Sequence, residues 1–428
     1  MKNNISPTLG FRRLLRKVVV ASEASVFARF FVRRKGPGKR ALILVDAGDF
    51  EYHFPVMIEI KKVTGRKDLK RFILFPWRVY RDHPAWVPPL IMEREEFLDR
   101  KKNLFFGYGS ADYFLAERNG EVVGRIAAIK NDRHLEIHQD GVGFFGLFES
   151  IDDPEVAGAL LETARAWLAE RGIEKIRGPV DLTMNDGCGV LTHGFDEPPM
   201  LLMPYSPPYY APLLERCGFE KIEDLYSYRI GRPDGDRIPE RLERALQLAH
   251  KRSGATIRPA NIKKFDEEME RVYEIYRKAW VNNWADVPFT REELMKTGRD
   301  MKMFADPDLI FFAEIDGETV GICITLPNMN QALRRANGRL LPFGWWKIMR
   351  DKSKINQIRV IVMGVLHEYR RKGLEAAMVY YIYKNAMEKG YQWAEMGWIL
   401  ESNTVMNRLV ERIDGDRFKS YRLFQRDV

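Results

Sequence analysis

The chain has 428 residues, of which 45% are hydrophobic and 30% are charged, so a wholly disordered protein is excluded. No uninterrupted run of about 18 apolar residues occurs, and no conventional membrane-spanning helix is therefore predicted. Cys188, Cys217 and Cys323 lie far apart with no CxxC pair, which argues against a disulfide scaffold or a Cys-rich zinc site.

The net charge of +9 belongs to one end of the chain. Residues 1–40 contain eleven Lys or Arg and one acid, Glu23, whereas residues 41–428 contain 58 basic and 59 acidic residues. Because the body is nearly neutral, its charge does not favour a nucleic-acid-binding enzyme, and no nucleic-acid partner is predicted.

Residues 1–56 are predicted to be a basic N-terminal extension that is poorly ordered or lies on a membrane surface. Residues 11–35 place apolar side chains at rough helical spacing between arginines, as in helices that rest on anionic membranes. Two other interpretations stay open: an upstream extension that precedes the true start at Met57, and an arm that binds nucleic acid.

The body contains two copies of one pattern. Residues 116–131 (AERNGEVVGRIAAIKN) and 313–328 (AEIDGETVGICITLPN) align without gaps and are identical at seven of sixteen positions. Each copy predicts a β-hairpin, because the Asn-Gly and Asp-Gly pairs within them are two-residue turns that need positive φ.

The order of predicted elements continues this repeat over two halves, residues 57–231 and 255–428, joined by a linker at 232–254. Each half is predicted as a strand, a helix, a β-hairpin, a strand, a helix, a strand, a helix and a terminal hairpin. This pattern indicates an α/β fold, an α+β sandwich with mixed central sheets flanked by helices. His134 and His138 lack an HExxH context and are interpreted as polar surface side chains, so no metal is predicted.

The junction at residues 360–379 (VIVMGVLHEYRRKGLEAAMV) carries the clearest chemistry. A buried strand ends, a basic loop follows, and a helix begins whose first N–H groups are free to bind phosphate. Arg370, Arg371 and Lys372 add positive charge, and Gly373 lets the backbone approach a ligand closely. The pattern predicts a cradle for a diphosphate; an ordinary basic helix start is the alternative.

This junction resembles motif A of the GNAT superfamily of acyl-CoA-dependent N-acyltransferases, (Gln/Arg)-x-x-Gly-x-(Gly/Ala). Arg370 and Gly373 match, whereas Glu375 occupies the third position and Ala376 follows one residue later.

Downstream, Asn403 and Leu409 match the N-x-x-x-x-x-L pattern of the family's motif B. Val410 stands where the family often has a tyrosine that protonates the leaving thiolate.

The resemblance implies two GNAT-like domains, with acetyl-CoA or a longer acyl-CoA bound as co-substrate by the second and no metal. The implied donor site consists of Val365, Arg370, Arg371, Lys372, Gly373, Leu374, Ala376 and Asn403. The first domain has Asp152, Asp153 and Glu155 where a phosphate loop would be, so its donor site is predicted to be degenerate.

The family's mechanism implies that a main-chain N–H near Val365 polarises the thioester carbonyl. A base must then deprotonate the incoming amine. Glu401 is ranked first because it follows the neighbouring strand, and Glu395 is next; His367 and Tyr369 near the loop are further candidates.

Two segments are typical of acceptor-binding regions: the long Pro- and aromatic-rich stretch 181–210, and the Trp- and Arg-rich stretch 337–355. Core packing is the alternative for both. With NNWADVPFT (282–290) and LLPFGWW (340–346), the chain resembles a bacterial tandem-GNAT family related to acyl-CoA-dependent ceramide synthases.

The resemblance implies an N-acyltransferase acting on a small-molecule or lipid amine, such as a sphingoid base. The alternatives are a GNAT pseudoenzyme that binds lipid or protein, and a Fem-type aminoacyl transferase. The predicted location is cytoplasmic, with peripheral contact to the inner membrane through residues 11–35 or 340–352 as an alternative.

Overall fold

The computed structural model describes residues 57–231, 238–280 and 284–428. The predictions for residues 1–56, including the amphipathic stretch 11–35, lie outside the described residues. Across the described ranges, no helix combines the length and apolar character needed to cross a bilayer.

The described residues form one mixed sheet of 13 strands. The strands are β1 (Ile58–Lys62), β2 (Gly109–Arg118), β3 (Glu121–Asn131), β4 (Val142–Ser150), β5 (Lys175–Gly178), β6 (Val190–His193), β7 (Glu220–Ile230), β8 (Thr256–Pro259), β9 (Ile310–Ile315), β10 (Glu318–Pro327), β11 (Gln357–Val365), β12 (Trp393–Leu400) and β13 (Asp416–Asp427).

Helices connect the strands and cover both faces of the sheet. They are α1 (Arg66–Leu74), α2 (Pro76–Val79), α3 (Ile91–Phe97), α4 (Asp132–His138), α5 (Pro154–Ala169), α6 (Tyr210–Arg216), α7 (Glu240–Ser253), α8 (Phe265–Ala279), α9 (Arg291–Lys302), α10 (Asn330–Leu333), α11 (Gly344–Lys352), α12 (Leu374–Glu388) and α13 (Thr404–Arg412). Short 3-10 helices lie at Leu104–Gly107, Ile262–Lys264, Pro307–Leu309, Arg334–Ala336 and His367–Tyr369.

Neighbouring apolar side chains along a strand point to opposite faces of the sheet, which explains why helices cover both faces. Phe144 packs in one core with α1 and the segment 180–203, and its neighbour Phe145 packs on the opposite face with α5. Phe311 and Phe312 divide in the same way between the core of α12 and the core of α8 and α9. Successive side chains of a strand point to opposite faces, so a strand buried on both faces is apolar throughout.

The two predicted hairpins are confirmed. β2 pairs with β3, and β9 pairs with β10, each antiparallel. Asn119, Gly120, Asp316 and Gly317 all have positive φ, as their turns require. The mixed α/β fold predicted from the repeat is confirmed as well.

The sequence pattern predicts that each half has its own sheet and ends in its own hairpin. The structure joins the two halves in a different way. The strand order is β1-β2-β3-β4-β5-β13-β7-β12-β11-β10-β9-β8. β13, from the end of the chain, therefore pairs with β5 of the first half, and β7 pairs with β12 of the second. Each half ends in one long strand, which pairs with a strand of the other half. These two terminal strands, β7 and β13, also pair with each other.

His134 corrects a smaller expectation, because it is fully buried. Its Nε2 lies 3.1 Å from Asp140 Oδ1, and its ring contacts His138 and Phe144. Burial lowers the pKa of His134 to about 4, so this histidine is a neutral core side chain.

The strand exchange predicts that a side chain near the C-terminus stabilises the first half. Phe424 of β13 is fully buried in the core formed by Phe145, Leu160 and α5. Phe424→Ala is expected to lower the free energy of unfolding by about 3–5 kcal/mol, since it leaves a cavity there. Chemical denaturation with a fluorescence readout measures this change.

Phe343→Ala is the control, because that side chain is 68% exposed and its removal is expected to change stability little. An equally small effect of Phe424→Ala would contradict the exchange.

Candidate functional site

The parallel strands β11 and β12 separate at one end. They pair as far as Val360 opposite Met396. Beyond that point β11 continues to Val365 and β12 continues to Leu400. Within the described residues, these two stretches do not pair with each other. Ile361 is an extra residue relative to β10, a bulge that marks the start of the separation. A V-shaped gap therefore opens beside the end of β11.

The backbone of β11 directs N–H groups into this gap. The Leu366 N–H donates to Val320 O of the β10 side at 2.9 Å. Because adjacent residues of a strand direct their N–H groups to opposite edges, the N–H groups of Met363 and Val365 point away from β10, toward the gap. The Val365 N–H is thus directed toward a group that enters the gap.

The cradle follows at the N-terminus of α12. Gly373 is its N-cap with φ of +90° and has no side chain to cap the helix. In the first turn, the Glu375 carboxyl accepts a hydrogen bond from its own backbone N–H. In the described chain, the backbone N–H groups of Arg371, Lys372 and Gly373 have no recorded hydrogen bond. Leu374 and Ala376 are buried beneath the first turn, so they shape the cradle through packing. An uncapped helix start with free N–H groups suits an anion such as a diphosphate.

Arg370 supports the cradle from beneath. Its Nε donates to Val365 O at 3.2 Å, and its Nη2 donates to Ala279 O at 2.7 Å at the end of α8. This side chain therefore ties the end of β11 to a helix. The Lys372 ammonium lies 4.6 Å from the centre of the Tyr369 ring, and Arg371 is exposed. Lys372 and Arg371 therefore supply the positive charge of the loop that is not bonded to these backbone carbonyls.

The helix start of the first half is closed. Its N-cap is Asp153, whose carboxylate accepts hydrogen bonds from Glu155 N at 2.9 Å and Val156 N at 3.4 Å. The same carboxylate pairs with Arg118 at 2.8 Å. An acid thus occupies the N–H groups that an anion would need.

The position in the first half that corresponds to Val365 is closed too. Ser150 lies opposite Gly124, and Val365 lies opposite Gly321, the residue that the repeat aligns with Gly124. Ser150 is therefore the counterpart of Val365, and its N–H donates to the Tyr210 hydroxyl at 3.0 Å. The two halves contain the same framework with one site open and one filled by its own side chains.

A cavity of about 2710 Å³ begins at the gap between β11 and β12 and extends among both halves. Typical pockets for small ligands have about 300–1,000 Å³, so this one has room for more than one substrate. Its walls include α3 and the segments 181–187 and 199–205 from the first half, and α8, α9 and α11 from the second. Asn403, which caps α13 through a bond from Met406 N, lies on the wall as well.

Asp286 is the carboxylate of this cavity that has the clearest connection to β11. The Trp280 ring covers Gly364 so closely that a β-carbon there would lie 2.3 Å from the ring. Tyr276 stacks on Trp280 with 5.0 Å between ring centres and influences the pKa of Asp286. Asp286 Oδ2 is buried and has no recorded hydrogen-bond partner in the described chain.

The surroundings of Asp286 suit a base. Burial raises its pKa to about 6, against opposing effects of His138 and the Tyr276 hydroxyl. Further acids line the same cavity: burial raises the pKa of Asp186 to about 7 and that of Glu149 to about 7. Asp286 lies in the segment NNWADVPFT, and no spacing rule connects this segment to β11, which begins more than 70 residues later.

Glu401 and Glu395 do not line this cavity. Glu401 pairs with Lys221 at 2.7 Å and accepts a hydrogen bond from the Tyr226 hydroxyl at 2.8 Å. The hydrogen bond from Lys221 lowers the pKa of Glu401, which weakens it as a base. Glu395 is fully buried and accepts from Ser227 Oγ at 3.0 Å. Among the described residues, no group of three or more His, Cys, Asp or Glu is arranged to hold a metal ion.

Comparisons with known proteins agree with this geometry. A sequence profile of the Acetyltransferase (GNAT) family matches residues 269–415, which include the gap and the cradle. The chain is 37% identical over 375 residues to Protein YghO of Escherichia coli (strain K12), covering 86% of this chain and 95% of that protein. It is 36% identical over 377 residues to the Bacterial ceramide synthase of Caulobacter vibrioides (strain NA1000 / CB15N), covering 86% and 97%.

The chain belongs to the GNAT acyltransferase family. A solved structure, the tandem GNAT protein from the clavulanic acid biosynthesis pathway without AcCoA, shares the fold with a TM-score of 0.52 at 11% identity, covering 87% of this chain and 98% of that one. The resemblance recognised from the motifs is confirmed, and so is the prediction of an acyl-CoA-dependent N-acyltransferase with tandem GNAT-like halves.

The uncapped helix start predicts that Gly373→Asp abolishes CoA binding by this acyltransferase. The new side chain is strained at φ of +90°, and its charge repels the diphosphate. CoA at 100 times its Kd is expected to stabilise the wild type by about 2.7 kcal/mol and the variant not at all, as measured by thermal shift.

Gly390→Asp is the matched control. Gly390 has φ of +79° just beyond the opposite end of α12, so the backbone strain is similar but no ligand is expected there. If both variants lost the shift equally, strain alone would explain the effect.

Proposed function

We propose that this acyltransferase transfers a long acyl chain from acyl-CoA to the primary amine of a long-chain acceptor of the sphingoid-base type. The observation that carries the proposal is the cavity of about 2710 Å³, which joins the open donor gap of one half to the closed half. A short acyl group and a small polar amine would leave most of it empty. The name of the Caulobacter relative supports the same class of acceptor.

The donor is proposed to bind in the second half. Its diphosphate lies at the N–H groups of Arg371, Lys372 and Gly373, with charge from the two basic side chains. Its pantetheine arm follows the gap toward Asn403, and its thioester carbonyl accepts from the Val365 N–H. Arg370 holds the end of β11 against α8 and so positions this donor.

The acceptor amine is proposed to approach Asp286 from the side of the first half. An ammonium loses hydration in a largely apolar cavity, and a carboxylate with an unpaired oxygen compensates for that loss. Apolar side chains then accommodate the chains of both substrates; they include Ile73, Leu147, Leu201, Met269, Leu294 and Phe312.

The reaction follows from this arrangement. Asp286 accepts a proton from the ammonium, and the neutral nitrogen attacks the thioester carbon. The Val365 N–H stabilises the oxyanion of the tetrahedral intermediate. Collapse of the intermediate breaks the C–S bond, and the proton that remains on the attacking nitrogen passes to the departing sulfur. The products are the amide and CoA as a free thiol, and no separate protein acid is needed. Glu401, which follows β12, is the alternative base; it would act through the hydroxyl of Tyr226 on the neighbouring strand β7.

A screen of acyl-CoA lengths from two to eighteen carbons against amines tests this proposal. The amines are sphinganine, an alkylamine, glucosamine and lysine, and the readouts are free thiol and the mass of the amide. We expect turnover with the long acyl-CoA and sphinganine, and at least about tenfold lower kcat/KM with the polar amines, because one buried methylene contributes about 0.8 kcal/mol.

Preference for glucosamine or lysine would contradict the acceptor class. An absence of thiol release with every amine would instead favour a GNAT pseudoenzyme, and transfer of an aminoacyl group would favour a Fem-type reaction.

The pH dependence distinguishes the bases. Because the carboxylate form of Asp286 is the active one, kcat/KM is expected to fall as the pH drops through about 6. Asp286→Asn is expected to remove this acid limb and to lower kcat by about 100-fold or more.

Asp186→Asn, at a carboxylate of the same cavity, is the matched comparison and is expected to retain the acid limb. If the limb disappears in Glu401→Gln and persists in Asp286→Asn, Glu401 is the base.

A further inference from the structure

The two copies of the fold differ in the length of the connection that precedes β4 in the first half and β11 in the second. In the first half, β3 and β4 are joined by residues 132–141, which form α4. In the second half, the corresponding strands β10 and β11 are joined by residues 328–356, an insertion that carries α10 and α11. The sheet does not require these additional residues, since the first half builds the same hairpin and strand without them.

The insertion presents large apolar side chains to solvent. Leu341 is 77% exposed, Phe343 68% and Met349 60%, and both tryptophans of α11, Trp345 and Trp346, are about half exposed. Single exposed apolar residues are ordinary, but five within nine positions form a patch of the kind that marks an interaction surface. We call residues 341–349 the apolar patch.

Positive charge surrounds the apolar patch. Residues 335–354 contain six Lys or Arg and one acid, Asp351, so their local charge is +5. Asp351 is buried and forms ion pairs with Arg335, Arg350 and Lys354. The exposed charge that remains around the patch is therefore cationic, which fits an anionic partner.

The insertion is fixed to the rest of the fold. Trp77 donates to Asn337 Oδ1 at 3.0 Å, and the Ile91 N–H donates to Gly338 O at 2.9 Å. On the other side of the patch, Ile348 is buried against Met329 and α10. The exposed side chains are thus presented on a rigid base.

The patch also adjoins the cavity. Trp345, Met349 and Lys352 line the cavity on one side of α11, whereas Leu341, Phe343 and Trp346 do not. Two further exposed apolar side chains, Leu202 and Met303, lie on the cavity wall as well. One helix therefore borders both the solvent-exposed patch and the interior that the proposed acceptor would occupy.

We propose that the apolar patch docks the enzyme on an anionic phospholipid bilayer, with Leu341, Phe343 and Trp346 inserted at the interface. Tryptophan favours the boundary of a bilayer, and each cation near an anionic surface contributes to attraction. The cavity entrance beside α11 then faces the lipid, so a long-chain amine passes from the bilayer to Asp286 without crossing water. This role rests on the proposed function for its substrate, but the docking itself is a separate property.

Flotation of the full chain with vesicles tests the docking. The vesicles contain phosphatidylglycerol and phosphatidylethanolamine at 3:7, with pure phosphatidylcholine for comparison. The triple variant Leu341→Ser, Phe343→Ser, Trp346→Ser is expected to bind the anionic vesicles about tenfold less than wild type. The control variant Met57→Ser, Ile137→Ser, Ile222→Ser removes exposed apolar side chains elsewhere and is expected to bind as the wild type does.

A local probe distinguishes binding by the apolar patch from binding by the basic residues 1–40, which the wild type and the triple variant both contain. An environment-sensitive fluorophore on Phe343→Cys is expected to shift to the blue on anionic vesicles, and the same fluorophore on Ile137→Cys is not. Equal flotation of the triple variant and wild type, or no shift at position 343, would overturn the docking. A change from dimer to monomer in the triple variant without vesicles would assign the patch to self-association instead.

Turnover separates this proposal from the proposed function. With an acceptor dispersed in detergent, the triple variant is expected to retain wild-type kcat, while its rate on acceptor supplied in vesicles falls about tenfold. If the enzyme binds vesicles but acylates no long-chain amine, the proposed docking is supported and the proposed acceptor class is wrong. Full activity on vesicle-borne acceptor by the triple variant would refute the docking and leave the acceptor standing.

Discussion

The exchange of terminal strands is the constraint on which the rest of the structure depends. β7 lies between β12 and β13, and β13 lies between β7 and β5, so neither half has a closed sheet without the other's last strand. Buried charges reinforce this seam: Arg359 donates to Leu201 O at 2.7 Å, and Lys419 donates to Pro198 O at 2.7 Å. Burial lowers the pKa of Lys419 to about 8, and Glu395 lies in the same cluster. Second-half side chains thereby hold the first-half loop that forms one wall of the cavity.

The same framework appears twice, and small chemical differences divide the roles. In the second half, a glycine begins the helix and the end of β11 leaves N–H groups unused. In the first half, Asp153 caps the helix and the Tyr210 hydroxyl takes the N–H of Ser150. A buried N–H group needs a partner, so the half that supplies one internally has no use for a ligand oxygen. We interpret the closed half as a wall that shapes the acceptor side of the open one.

Much of the framework could be predicted from local patterns. The repeat gave both hairpins, because turn residues and alternation act over a few positions, and the junction at 360–379 gave the cradle for the same reason. The partners of Arg370 could not be predicted in full: its guanidinium donates to Val365 O, five residues earlier, but also to Ala279 O, 91 residues earlier at the end of α8. Glu401 looked available because it follows a strand, but Lys221, 180 residues earlier, occupies its carboxylate. Asp286 gave no such signal, since only folding brings the segment between α8 and α9 to the cavity that β11 also lines.

The sequence by itself determined the fold class, the doubling of the fold, and the half in which a glycine and a basic loop begin the helix after the central strand. All of these depend on residue type and short spacing, which fix turns, helix starts and burial patterns. Only the tertiary structure decided which strands are neighbours, which carboxylates are free, and where the cavity runs. A strand's alternation specifies which face is buried but not which edge it pairs with, and a carboxylate's strength as a base is set by whatever the fold brings against it.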